Sequence, residues 1–134
     1  CRYFEEAYPD TPHLLGDTPL EKAQIEQWQR WLEFHLMQPT TMCFQHGTGY
    51  FNDRMNPIKE WGDECGTQVQ DFMAFLNDHL AGKEYLCCDR FTAADITAFA
   101  TLAFARVVKI RIAPEQEHLQ AWYDRISARP SASV

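Results

Sequence analysis

Residues Phe91 to Ile110 read FTAADITAFATLAFARVVKI. The stretch opens on a helix start signal. Thr92 suits the N-cap, whose side chain satisfies one of the first free backbone N–H groups. Asp95, three residues on, is placed to accept from the N–H of Thr92. A carboxylate there also meets the positive end of the helix dipole. Phe91 before the cap and Ile96 at the fourth helical position have the spacing of a hydrophobic staple. No charge follows Asp95 until Arg106, and the residues between are Ala, Ile, Phe, Leu and Thr on every side. A helix apolar all round belongs in a core, and the uncharged run is too short to cross a bilayer. The expected fold is all-α, with this helix at its centre and Ala113-Pro114 as its end.

Working outward, the 134 residues fit one main domain with room for a real core. A net charge of −7 argues against nucleic acid or an anionic membrane as partner. Cys1, Cys43, Cys65, Cys87 and Cys88 have the spacing neither of a disulfide framework nor of a zinc site. A reducing, cytoplasmic setting without a metal is therefore expected. Cys1 to Tyr8 read like the interior of a helix, as though the chain were part of something longer.

Upstream of the central stretch, Thr18 is a plausible N-cap with Pro19 at the first helical position. The helix it starts is expected to run to about Gln45. At about 100° per residue, Trp28, Trp31, Leu32, His35, Pro39, Met42, Cys43 and His46 form one stripe, and Phe34, Met37 and Phe44 a second on the opposite side. Two apolar faces imply two neighbours: the rest of the bundle, and another domain or subunit. Pro39 should kink or interrupt this helix. His46 to Pro57 is a loop rich in Gly, Asn and aromatic residues. A further helix is expected over Ile58 to Ala81, with Trp61, Cys65, Val69, Phe72, Phe75, Leu76 and Leu80 on its buried side. The last runs from Pro114 to about Ala128.

LxxKEYLCCDRFTAADITAFATL resembles the segment of cytosolic glutathione transferases that reads "yl-x-Gly-Asp-x-Phe-Ser-x-Ala-Asp-Ile". Asp89, Phe91, Thr92, Ala94, Asp95 and Ile96 match it, while Cys88 replaces the usual Gly. AWYDRISARPS (Ala121 to Ser131) resembles that family's Trp-containing last core helix. YFEEAYPDTPHLLGDTPLEKAQIEQW resembles the last helix of the thioredoxin-like domain, the linker and the first helix of the helical domain. Gln38-Pro39 and KEWG (Lys59 to Gly62) look most like a bacterial and fungal branch.

The resemblance implies residues 1–16 as the end of a thioredoxin-like domain plus linker. Residues 17–134 would be an all-helical bundle of the glutathione transferase C-terminal domain type. The N-terminal thioredoxin-like domain would be missing from this chain. It also implies an intact, homodimeric enzyme that joins glutathione, its co-substrate, to hydrophobic electrophiles in detoxification. No other cofactor is expected.

This segment would supply part of the electrophile pocket and the dimer surface, and would be inactive alone. The thiol-activating residue belongs to the missing domain, so no catalytic residue is assignable here from the family motif. His35 and His46 are the candidates for polarising a thiol or bound water. Trp31, His35, Cys43, His46 and Tyr50 are the candidate substrate-binding residues. A plainer reading makes the histidines backbone- or solvent-capped groups and the aromatic residues core. Thr92 and Asp95 are expected to be structural. A non-catalytic protein-interaction module of the same fold, or a thiol-redox protein using Cys87-Cys88 or Cys43, are the rival readings.

Overall fold

The computed structural model of the chain describes residues 1–132. Among these residues the regular structure is helical, without strands. The helices are α1 (Arg2–Ala7), α2 (Pro19–Leu32), α3 (Gln38–Gly47), α4 (Lys59–His79), α5 (Ala93–Ala105) and α6 (Glu117–Ser127).

The Thr18 start is built as expected. Its hydroxyl accepts the Glu21 N–H at 3.2 Å, and the Glu21 carboxylate accepts the Asp17 N–H at 2.8 Å. A π-helical turn, Glu33–Met37, joins α2 to α3, so the rod continues past Pro39 without a break. Proline has no N–H, and in a regular helix its ring would strike the carbonyl four residues back, here that of His35. The wider turn answers both problems: the Gln38 N–H donates five residues back, to Glu33 O. The irregularity expected at Pro39 is thus absorbed just upstream of it.

At α5 the Asp95 carboxylate is fully buried and accepts four hydrogen bonds. Oδ2 takes the Thr92 N–H at 2.9 Å and the Thr92 hydroxyl at 3.2 Å. Oδ1 takes the Leu86 N–H at 3.1 Å and the Trp122 indole N–H at 2.9 Å. One side chain therefore ties the preceding turn, the start of α5 and the middle of α6. Burial raises the Asp95 carboxyl above the usual carboxylate range, against the pull of the four donors.

The core gathers Leu32 and Leu36 from the first rod, Val69, Met73 and Leu76 from α4, Ala98 and Leu102 from α5, and Leu119, Trp122 and Ile126 from α6. Three expectations need correction. The central helix is not enclosed on all sides: Ile96 is 43% exposed, Phe104 37% and Val107 56%. Phe91 meets the edge of Tyr85 and carries the Arg129 guanidinium over its face at 3.7 Å, leaving Ile96 outward where a staple was expected. The helix also ends earlier than Ala113-Pro114. Arg106–Val108 form a 3-10 turn and Lys109 takes a left-handed conformation at φ 65°. The β-branched Val107, Val108, Ile110 and Ile112 hold a helix poorly, and Ile110 gains burial by leaving it. The last helix accordingly begins at Glu117, beyond Pro114.

Candidate functional site

α4 runs back along the first rod, and the partners show its direction. Trp28 packs on Phe75 and His79, Trp31 on Phe75, and His35 on Phe72. Further along, Cys43 lies beside Gly66, and the backbone of His46 and Gly47 beside Gly62. At Gly62 the two backbones nearly touch: a Cβ there would stand 2.9 Å from the Gly47 nitrogen. The first stripe read from the sequence is this helix–helix seam.

The close crossing fixes the loop that follows α3. The His46 Nδ1 accepts the Ile58 N–H at 3.0 Å, which joins the two ends of the loop. The Thr48 hydroxyl donates to Phe44 O at 2.6 Å. Between these anchors the loop turns its rings onto α3. Tyr50 and Phe51 pack on Phe44 with ring centres 5.4 and 5.8 Å away, and Phe104 of α5 packs on the same ring at 5.5 Å. Arg54 closes the far side over Phe51 at 5.6 Å.

This aromatic cluster adjoins the uncovered flank of α5. Phe104 is followed one turn later by Val107, and Tyr50 itself is 66% exposed. Phe34 and Met37, which share the second stripe with Phe44, are exposed as well. Exposed apolar side chains grouped beside such a cluster are where an apolar ligand or another domain binds.

The five candidate substrate residues therefore fall in three places. Trp31 and His35 lie on the outer edge of the seam with α4, where His35 lines a groove of about 340 Å³ together with Gln68, Asp71, Phe72 and Phe75. Cys43 and His46 sit at the α3–α4 crossing. Only Tyr50 joins the aromatic cluster. His46 has one ring nitrogen committed to the backbone, so it holds a loop in place. Phe44 was visible as part of the second stripe. Phe51 and Phe104 were not singled out by that stripe: the first lies in a loop, the second in a helix read as wholly enclosed.

Four of the five thiols sit in settings that favour the protonated form. All five cysteines are free. Burial pushes the Cys43, Cys65 and Cys88 thiols above their ordinary range, and Cys87 up to about 12. Nucleophilic or redox work needs the thiolate, and these settings favour the thiol. Among the described residues no group of three or more His, Cys, Asp or Glu is placed to hold a metal ion, and no helix is long and apolar enough to cross a membrane.

Residues 35–130 match the family model described as glutathione S-transferase, C-terminal domain. The chain is 36% identical over 130 residues to glutathione S-transferase 2 of Saccharomyces cerevisiae, covering 96% of this chain and 56% of that protein. The crystal structure of Gtt2 from Saccharomyces cerevisiae superposes with a TM-score of 0.89 at 35% identity, over 97% of this chain and 64% of that one. A glutathione S-transferase domain-containing protein of Marinobacter aquaeolei gives 0.90 at 37% identity, over 98% and 65%. The chain thus spans little more than half the length of that curated relative. The match in sequence and in fold places it in the glutathione S-transferase family, as that family's all-helical C-terminal domain.

Proposed function

We propose that the intact polypeptide joins the glutathione thiolate to a hydrophobic electrophile, and that this chain forms the apolar wall against which the electrophile lies. The observation that carries the reading is the Phe44–Tyr50–Phe51–Phe104 cluster beside the uncovered flank of α5. It is an aromatic surface on a rigid helix pair, with no nucleophile of its own. The thiol and its activating group would come from the portion of the protein outside this chain, so the segment alone would not turn over. Raised thiol pKa values weigh against the redox alternative. The free cysteines fit a reducing cytoplasm.

The second exposed aromatic strip, Trp31 with His35, Phe72 and Phe75, is the better surface for a homodimer. It is carried by two packed helices, with aromatic residues of the kind enriched in interface cores.

The test is steady-state kinetics of the full-length protein with glutathione and 1-chloro-2,4-dinitrobenzene. Tyr50→Ala and Phe104→Ala should raise the KM for the electrophile several-fold and leave the KM for glutathione unchanged. Equal effects on both substrates would move the electrophile away from this cluster. No conjugation by the wild-type protein with any electrophile tried would favour the interaction-module reading.

A further inference from the structure

We infer that the pocket between α4, α5 and α6 is a binding site for a small amphipathic monocarboxylate. The pocket has a volume of about 270 Å³, just under the roughly 300 Å³ at which small-molecule sites begin. The buried Met73, Leu102 and Ile110 line it, together with Ile112, Gln120 and Tyr123. Arg106 and Arg111, both exposed, complete its lining, and among the described residues no carboxylate lines it.

The charge distribution singles this place out. The chain carries 12 Lys and Arg against 19 Asp and Glu, and its cations are mostly engaged. Arg2, Arg30, Arg54, Lys59 and Arg90 sit in ion pairs. Lys83 reaches His79, Arg125 a backbone carbonyl and Arg129 an aromatic face. Of the remaining four cations, Lys22 stands by itself in α2, whereas Arg106, Lys109 and Arg111 fall within one short stretch of an acidic protein. Among the described residues none of these three side chains has a hydrogen-bond, ion-pair or ring partner. The negative end of the α5 dipole favours a cation at Arg106. It does not account for Arg111, which lies beyond the helix.

The two features select the ligand. Two guanidinium forks over an apolar floor match a carboxylate on a hydrocarbon body: the head accepts paired N–H bonds, and the body is removed from water. An alcohol of the same body would leave the guanidiniums unanswered, and an ammonium would be repelled. Asp71 and Glu115 line the adjoining groove on the far side of Arg111, without reaching it as an ion pair. Their field disfavours a dianion, so one negative charge is preferred to two. The site is separate from the aromatic cluster, because Leu102 and Phe104 are about 200° apart around α5.

The experiment is calorimetric titration of the full-length protein with decanoate, decanol and decylammonium. Decanoate should bind once per chain, with decanol and decylammonium at least about tenfold weaker. In the double variant Arg106→Ala/Arg111→Ala, decanoate should fall at least about tenfold to the level of decanol. Neither arginine side chain has a partner among the described residues, so the variant should fold, with its melting temperature lowered only by the small helix-end contribution of Arg106. Cross-relaxation from labelled decanoate to the Ile110 and Ile112 methyl groups supplies a second readout that needs no substitution. The inference is overturned if decanoate fails to bind, if decanol binds as well, if the double variant binds unchanged, or if the contacts fall on Phe104 and Tyr50 instead.

Discussion

Replacing Asp95 by Ala should cost far more than the loss of an ordinary helix cap. A cap removed from an exposed helix start costs about 1 kcal/mol. Here the carboxylate is fully buried, and its loss would leave the N–H of Leu86, the N–H of Thr92 and the indole N–H of Trp122 without an acceptor. Each buried donor left unpaired costs about 1–3 kcal/mol. Three of them sum to at least about 3 kcal/mol, a large share of the roughly 5–15 kcal/mol that holds a domain together. Asp95→Asn should lie between wild type and Ala. It keeps one oxygen, which can serve either Thr92 or the Leu86–Trp122 pair, but it turns an NH₂ toward the other donors. Urea unfolding followed by circular dichroism reads both values. Trp122→Phe made alone and with Asp95→Ala closes a double-mutant cycle, which should give a coupling of about 1 kcal/mol. If Asp95→Ala costs less than about 1 kcal/mol, or if the cycle gives no coupling, the carboxylate is only a cap and the account of what joins α6 to α5 is wrong.

Two further outcomes follow from the same turn. Cys88 sits at φ 60°, a left-handed conformation that costs a non-glycine residue about 1–2 kcal/mol, while glycine loses about 0.5–1 kcal/mol in added chain entropy. Cys88→Gly should therefore raise stability by roughly 0.5–1 kcal/mol, and a fall in melting temperature would contradict this. His79 is half-buried, stacks on Trp28 at 4.3 Å and hydrogen-bonds Leu86 O at 2.8 Å. Burial, with help from Lys83, holds its pKa below the usual 6.5. Protonation thus favours the unfolded chain, so its contribution is present above pH 6.5 and is lost as pH falls through the lower folded value. Melting temperature measured from about pH 8 to about pH 5 should fall more steeply for wild type than for His79→Gln, and equal slopes would count against it.

What the sequence makes legible is local. The Thr18 hydroxyl accepts the Glu21 N–H and the Asp95 carboxylate accepts the Thr92 N–H, both between residues three apart, but the Thr92 hydroxyl donates to Asp95 instead of accepting a backbone N–H. The seam stripe from Trp28 to His46 also survives, because the regular helical period carries it as far as the π turn and α3 resumes on the same side. Three things needed the fold. The Asp95–Trp122 bond joins residues 27 apart, which no local pattern records. The uncovered flank of α5 has the same composition as its buried flank, so polarity could not tell them apart. Pro114 is the strongest breaker in view and sets the end of α5 in the sequence, although the β-branched run before it already disfavours helix. For the candidate site, a shared stripe meant a shared neighbour, and that neighbour is α4. The aromatic cluster instead forms where a loop folds back, and only Tyr50 of the five candidates reaches it.

The most direct test of the functional account is hydrogen–deuterium exchange of the full-length protein with and without S-hexylglutathione, which carries an apolar group on the sulfur. Binding should slow exchange in the backbone around Phe44, Tyr50 and Phe51 and along α5 near Phe104. Saturation with the ligand while those segments exchange at their unliganded rate would show that the apolar group lies elsewhere.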